Sequence, residues 1–140
     1  MKIETWYSAL LSELEAMERV PHVYGESDCL MRVGRAAAVQ LAEDRRAEVE
    51  AVMSRYRGRY GSLDEAKAML KADGLTPLKL VCSLFTDIPV VEADAGDIGA
   101  IRSGKDWAFG IFDHGHIHVS TEAGTGILPR SASTKAFRVI

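Results

Sequence analysis

The chain has few cysteines and no long apolar run, and both absences narrow what it can be. Only Cys29 and Cys82 occur among 140 residues, which is too few for a disulfide framework. No stretch approaches the length of a transmembrane helix, and the first residues lead into an amphipathic rather than an apolar segment. We therefore expect no signal peptide and no membrane insertion, with synthesis in a reducing cytosol and both thiols free.

The chain also lacks an excess of positive charge. The net charge is -3 and the isoelectric point is near 5.8, which argues against a dominant role in nucleic-acid binding. The one local basic run, Arg55, Arg57 and Arg59, is interpreted as a solvated face. Because 47% of the residues are hydrophobic and no repeat or linker occurs, we predict one domain over residues 1–140 that folds without a metal.

The first part of the chain carries helical patterns. Apolar residues recur at helical spacing from Thr5 to about Met17, and again after Asp28 or Ser27, either of which is a plausible N-cap. The alanine-rich middle of that second helix predicts close packing. Three further helices are expected over about residues 45–56, from the capping box of Ser62 and Glu65 to residues 73–74, and over about 78–85.

From Ile88 onward the pattern changes to short strands separated by turn signals. The expected strands cover residues 90–91, 97–101, 107–112, 116–120, 126–128 and 137–140. Residues 113–116 predict a tight hairpin in which Gly115 supplies the positive φ. The fold class is therefore α+β, with N-terminal helices packed on a C-terminal antiparallel sheet.

The two cysteines call for different interpretations. Cys29 follows a Gly-containing turn and begins the second helix, where free N–H groups and the macrodipole lower a thiol pKa, so it is a candidate nucleophile. The alternative is a small buried apolar residue. Cys82 lies among apolar residues and is predicted to pack in the core.

Three of the four histidines alternate along one segment. His114, His116 and His118 would share a face in a continuous strand, which suggests a metal site. The hairpin breaks that face, and no carboxylate or cysteine has the spacing of a further ligand, so no metal is expected. His118 is alternatively a hydrogen-bonded strand histidine.

Several separated segments together resemble one known family. Tyr24-Gly25, Asp28-Cys29-Leu30, the strand at 96–101, Gly110-Ile111-Phe112 and Ile117-His118-Val119-Ser120 are similar, in order and approximate spacing, to the motifs of NlpC-type papain-like cysteine peptidases. The segments at 57–60 and 62–74 resemble a branch of short phage- and prophage-borne proteins encoded among tail genes.

The resemblance implies a papain-like, NlpC-type fold and roles for particular residues. Cys29 would be the nucleophile, Tyr24 the oxyanion-side aromatic, and His118 the orienting residue. The family's general base stands two residues before Gly110, where this chain has Ala108, which cannot accept a proton. His116, His114 or His22 would have to substitute for it.

The expected function follows from the alanine at position 108, where the family has its general base. The resemblance implies a phage tail-tip or baseplate protein with weak or no hydrolysis, present in the host cytoplasm when made and then in the virion tail. Its partners would be other tail proteins and peptidoglycan, with no cofactor, nucleic acid or membrane insertion. The alternatives are an active cysteine endopeptidase that cuts peptidoglycan stem peptides during DNA entry, and a metal-binding module built on the three alternating histidines.

Overall fold

Five helices precede a six-stranded sheet. The computed structural model describes residues 1–140. The helices are α1 Trp6–Glu18, α2 Cys29–Ala38, α3 Glu43–Tyr56, α4 Leu63–Ala72 and α5 Pro77–Leu84. The strands are β1 Thr86–Ile88, β2 Ile98–Ser103, β3 Asp106–Asp113, β4 His116–Thr121, β5 Gly124–Pro129 and β6 Lys135–Arg138, with short 3₁₀ turns at Val90–Glu92 and Arg130–Ala132. The predicted α+β organisation is confirmed.

The strands form one antiparallel sheet in the order β1-β6-β2-β3-β4-β5. In its centre Gly110 of β3 pairs with Gly99 of β2 and with Val119 of β4. A Cβ on Gly110 would lie 2.5 Å from the carbonyl oxygen of His118 and 2.9 Å from Val119 Cγ1. Only a glycine therefore lets β3 and β4 approach this closely.

The sheet is apolar on both faces. One face, which includes Phe109 and Ile111, joins the main core with the helices. The other face carries a smaller cluster that includes Phe112, Ile117 and Val119. Because alternate residues of a strand point to opposite faces, the register decides which side chains of β3 and β4 reach the helices.

The second helix lies close against its neighbours, as its alanines predict. Ala36 and Ala37 are fully buried in the main core. A Cβ on Gly34 would lie 2.6 Å from the sulfur of Met53 on α3. Small side chains on α2 thus fix its distance from α3 and from the sheet.

Two strand predictions need correction. Residues 90–91 form a 3₁₀ turn rather than a strand, because Pro89, which has no N–H for a sheet ladder, sets its start; Val91 is 88% exposed. The short strand β1 was not predicted. Its three residues show no alternation of burial that a sequence pattern could carry.

Two other predictions fail for local reasons. Cys82 is exposed rather than buried, because α5 turns Val81 toward the core and leaves the next residue on its solvent side. In the β3–β4 turn the positive φ falls on His114, at 49°, and not on Gly115. The hydroxyl of Tyr7 hydrogen-bonds His114 Nε2 at 3.0 Å, which holds His114 against α1.

Candidate functional site

The turn before α2 is organised by the carboxylate of Asp28. As the N-cap, its Oδ1 accepts the backbone N–H of Met31 at 3.0 Å, and its Oδ2 accepts the N–H of Gly25 at 2.8 Å. Oδ2 also accepts the hydroxyl of Tyr60 at 2.5 Å. With Asp28 only 4% exposed, these donors replace the water that a buried carboxylate has lost. The predicted N-cap is confirmed.

The same turn is tied to the connection between α3 and α4. Gly25 has a φ of 83°, and its carbonyl accepts the N–H of Gly58 at 2.9 Å. A Cβ on Gly25 would lie 2.8 Å from the carbonyl oxygen of Tyr60. Glycine is required at this position both by the left-handed backbone and by the close approach.

Cys29 follows directly as the first residue of α2. Burial raises the pKa of its thiol to about 11, and the negative charge of Asp28 adds to that rise. Hydrogen bonds from the backbone N–H groups of Phe109, Leu30 and Cys29 itself oppose the rise without cancelling it. The expectation of a lowered pKa is therefore wrong, because desolvation beside a carboxylate outweighs the helix terminus.

Cys29 keeps part of its surface open to a groove of about 370 Å³. The groove lies among the Tyr24 turn, α4, the start of β3 and the β4–β5 turn. Its wall contains the carboxylates of Asp28, Asp106 and Glu122 but no lysine or arginine. A volume of this size fits a small-molecule or peptide ligand.

Tyr24 lines the groove, but its hydroxyl is already engaged. It donates to Glu122, and this hydrogen bond, together with burial, raises the pKa of Tyr24 to about 12. His22 packs edge-on against the Tyr24 ring, with centroids 4.7 Å apart. The hydroxyl is therefore directed to the β4–β5 turn and not to the N-terminus of α2.

Ala108 and His118 stand on opposite faces of the sheet. His118 pairs with Ile111 across the sheet, so these two side chains share a face. Ile111 and Ala108 are separated by an odd number of positions on β3, so their side chains point to opposite faces. Ala108 lines the Cys29 groove, whereas His118 lines a separate cavity against Leu14 of α1. The Nε2 of His118 lies 3.8 Å from Asp113 Oδ2, so its near partner belongs to its own hairpin.

The other histidines are divided between two places. His114 contacts Tyr7, and the exposed His116 pairs with Asp113 and Pro129 in the sheet. Of the four histidines, His22 is the one that lines the Cys29 groove. No group of three or more His, Cys, Asp or Glu side chains is arranged to hold a metal ion.

Sequence reasoning assigned no role to several residues that the structure brings to the site. Tyr60 binds Asp28, Glu122 accepts from Tyr24, and Ser120 lines the groove. Ser120 is 3% exposed, and its Oγ has no hydrogen-bond partner. The only sequence signal for Ser120 and Tyr60 was their place at the end of segments with a family resemblance.

One family accounts for nearly the whole chain. The family described as Domain of unknown function (DUF6950) matches residues 1–139. The chain belongs to the DUF6950 family. No curated protein and no solved structure matches it.

The groove and its cysteine lie well inside the region that defines this DUF6950 domain. The match covers every helix and strand, so the Asp28 turn and the sheet that faces it belong to the same family unit. None of the helices of the DUF6950 domain has the length and apolar character needed to cross a bilayer.

Proposed function

We propose that this DUF6950 domain is a binding component of a phage tail tip or baseplate, with a peptidase-like fold and weak or no hydrolysis. One observation carries the proposal: Ala108 stands on the groove wall where a general base is needed, beside a thiol whose pKa is raised to about 11. The fold and the tail association rest on the resemblance of the motifs around Cys29, Gly110 and residues 57–60.

The raised pKa opposes cysteine peptidase chemistry at neutral pH. With a pKa of about 11, only about one thiol in ten thousand is ionised at pH 7. A cysteine nucleophile needs a nearby base that takes its proton and later returns it to the leaving amine. The methyl group of Ala108 does neither, and the loss of one member of a catalytic unit forfeits most of its rate enhancement.

Neither the raised thiol pKa nor the missing base prevents binding, because the groove keeps its volume and the polar side chains of its wall. The Asp28 network holds the turn in place without any help from the thiol. Ser120 and Glu122 still present hydrogen-bonding groups at the groove. The partners we propose are other tail proteins and peptidoglycan peptides.

The test is a pair of assays on the purified protein. We expect intact peptidoglycan after incubation and co-sedimentation with assembled tails, and the same results for Cys29→Ala. Release of muropeptides by the wild-type protein but not by Cys29→Ala would overturn the proposal.

An active cysteine endopeptidase is the second candidate, and the position of His22 favours it. His22 lines the same groove as Cys29 and packs against Tyr24, so it is the histidine best placed to substitute for the missing base. If His22 has that role, His22→Ala abolishes muropeptide release, whereas His118→Ala, in the separate cavity beside Leu14, leaves it unchanged. Retention of full release in His22→Ala would eliminate this mechanism.

A further inference from the structure

The sheet has an open edge at β5. This strand pairs with β4 on one side, and no strand pairs with its other side. All six of its residues, Gly124–Pro129, are exposed. In an antiparallel sheet, alternate residues of a strand direct their N–H and C=O groups away from the neighbouring strand. A row of backbone donors and acceptors therefore faces solvent along β5.

The other edge of the sheet is protected, whereas β5 is not. The edge strand β1 has three residues, includes the exposed Asp87 and is followed by Pro89. Short length, a charged side chain and a nearby proline are features that prevent strand addition. β5 has no charged residue and no bulge against β4, and its one proline is its last residue. It also presents two apolar side chains, Ile127 at 56% and Leu128 at 37% exposure.

A cavity of about 190 Å³ lies between β5 and α1. Leu14, Met17 and Glu18 of α1 and Gly126 and Ile127 of β5 line it. It shares no wall residue with the Cys29 groove. A seventh strand beside β5 would run along this cavity, and its alternate side chains would face α1. The edge thus offers a place for a side chain as well as for a backbone.

The unpaired charges beside this edge are negative. Glu18 in the cavity wall is exposed and forms no ion pair, and the same is true of Glu122 in the turn before β5. Arg130 follows β5, but its guanidinium is turned inward and donates to the carbonyl oxygens of Val90 and Ala93. Charge complementarity therefore favours an added strand that carries lysine or arginine.

A second copy of the chain fits this edge poorly. Antiparallel pairing of two β5 strands is generated by a two-fold axis perpendicular to the sheet, which leaves both α1 helices on the same face. Glu18 lines the cavity beside Thr125, Gly126 and Ile127, the middle residues of β5. That axis would therefore bring the two Glu18 carboxylates towards each other, and like charges oppose the pairing.

We propose that β5 and the cavity beside it form a docking edge for an extended segment of a partner protein. The segment adds a seventh strand to the sheet, with its backbone hydrogen-bonded to β5. One apolar side chain enters the cavity, and a lysine or arginine on the same face of the strand lies at Glu18. This surface is separate from the Cys29 groove, so the inference goes beyond the proposed function and does not depend on it.

The experiment is an NMR titration of the isotopically labelled full chain at low salt. The probe is the blocked heptapeptide Thr-Lys-Thr-Val-Thr-Lys-Thr, in which alternation places the valine and both lysines on one face. Its sequence reads the same in both directions, so it presents the same side chains in either strand orientation. One matched probe carries acetyl-lysine at both lysine positions. Another is N-methylated at two successive central residues, which removes an N–H from each edge of the strand.

We expect the lysine probe to shift the backbone signals of Thr125 and Ile127. The acetyl-lysine probe should bind about threefold more weakly, as for the loss of an exposed ion pair. The N-methylated probe should bind at least about tenfold more weakly, because it loses a backbone hydrogen bond and adds a steric clash.

Two variants of the protein locate the interaction. Glu18→Gln should weaken the lysine probe about threefold and leave the acetyl-lysine probe unchanged. Glu50→Gln, at an exposed glutamate on α3, is its control and should change neither. Ile127→Lys places a like charge on the edge and should weaken the lysine probe about tenfold. Its control is Ile140→Lys, because Ile140 is 57% exposed and lies outside β5.

Four results would contradict the inference. Absence of shifts in β5 with every probe would show that the edge does not dock a strand. Equal binding of the N-methylated probe would exclude backbone pairing, and equal binding of the acetyl-lysine probe would exclude a cationic partner. Concentration-dependent shifts of β5 signals in the free protein, abolished by Ile127→Lys, would make a second copy the occupant instead.

Discussion

The turn that carries Cys29 and the hairpin that carries three of the four histidines use their polar groups differently. In the turn, Asp28 collects donors from its own helix, from Gly25 and from Tyr60, all of them buried. In the hairpin, His114 contacts α1, while His118 lies near Asp113 of its own hairpin. The first region binds separate segments to one another, and the second binds a hairpin to the surface of a helix.

The position of Cys29 and the reactivity of its thiol depend on different features of the structure. The turn places Cys29 at the start of α2, but burial raises the pKa of its thiol to about 11. The hairpin supplies imidazoles, but the register of β3 and β4 directs His118 to the cavity beside Leu14. None of the three histidines of the hairpin lines the groove beside Cys29.

The largest effect should come from Asp28→Ala, which removes the N-cap and leaves the Tyr60 hydroxyl and the Gly25 N–H buried without an acceptor. We expect the free energy of unfolding to fall by about 3 kcal/mol, the sum of a lost cap and two unsatisfied buried donors at about 1 kcal/mol each. Urea denaturation of the variant and of the wild-type protein measures this change in the free energy of unfolding. Asp28→Asn keeps a cap and one acceptor and should lose clearly less; equal losses would contradict the network.

Thiol labelling compares Cys29 with Cys82, which is exposed on α5. Since the thiolate is the reactive form, the raised pKa should slow iodoacetamide labelling of Cys29 at neutral pH about a hundredfold relative to an unshifted thiol. The rate should climb about tenfold per pH unit as pH approaches 11. Mass spectrometry of each peptide gives both rates. Faster labelling of Cys29 than of Cys82 at neutral pH would show an activated nucleophile instead.

Ala108→His would add an imidazole to the groove wall. We expect Cys29 labelling to rise up to about tenfold below pH 6, where the imidazole is protonated and its charge favours the thiolate, and to stay unchanged near pH 11, where the imidazole is neutral. Ala108→Leu adds bulk without a base and is the matched control. An unchanged profile in Ala108→His would mean that position 108 does not reach the thiol.

The smallest effect should come from His118→Ala. We expect a loss of about 1 kcal/mol of stability from the lost contact with Asp113 of the same hairpin, and no change in the pH profile of Cys29 labelling. His118→Gln, which keeps a hydrogen-bonding side chain, should lose less. A shifted labelling profile would restore His118 to the site.

The parts of the fold that depend on neighbouring residues could be predicted from the sequence. Asp28 as N-cap, the capping of α4 by Ser62 and the packing of the alanines on α2 are each signalled within a few positions. In α4 the Glu65 carboxylate accepts from Gly61 rather than from Ser62, a difference of one residue. The hairpin at residues 113–116 was located correctly although its positive φ was not.

The parts that failed depend on distant segments. The face occupied by His118 is set by strand register, and a shift of one residue reverses it. The pKa of Cys29 follows from burial against the sheet, which no spacing reveals. Tyr60 and Glu122 reach the site across 32 and 98 positions from their partners Asp28 and Tyr24, so the sequence carried no local sign of either contact.

The Asp28 network has an evolutionary consequence. Folding energy resides in the carboxylate, the Gly25 backbone and the Tyr60 hydroxyl, whereas the thiol contributes none of these hydrogen bonds. Substitution of Cys29 would leave these hydrogen bonds in place, whereas substitution of Asp28 would remove all three. Selection for folding alone can thus preserve Gly25, Asp28 and Tyr60, whatever the role of the thiol beside them.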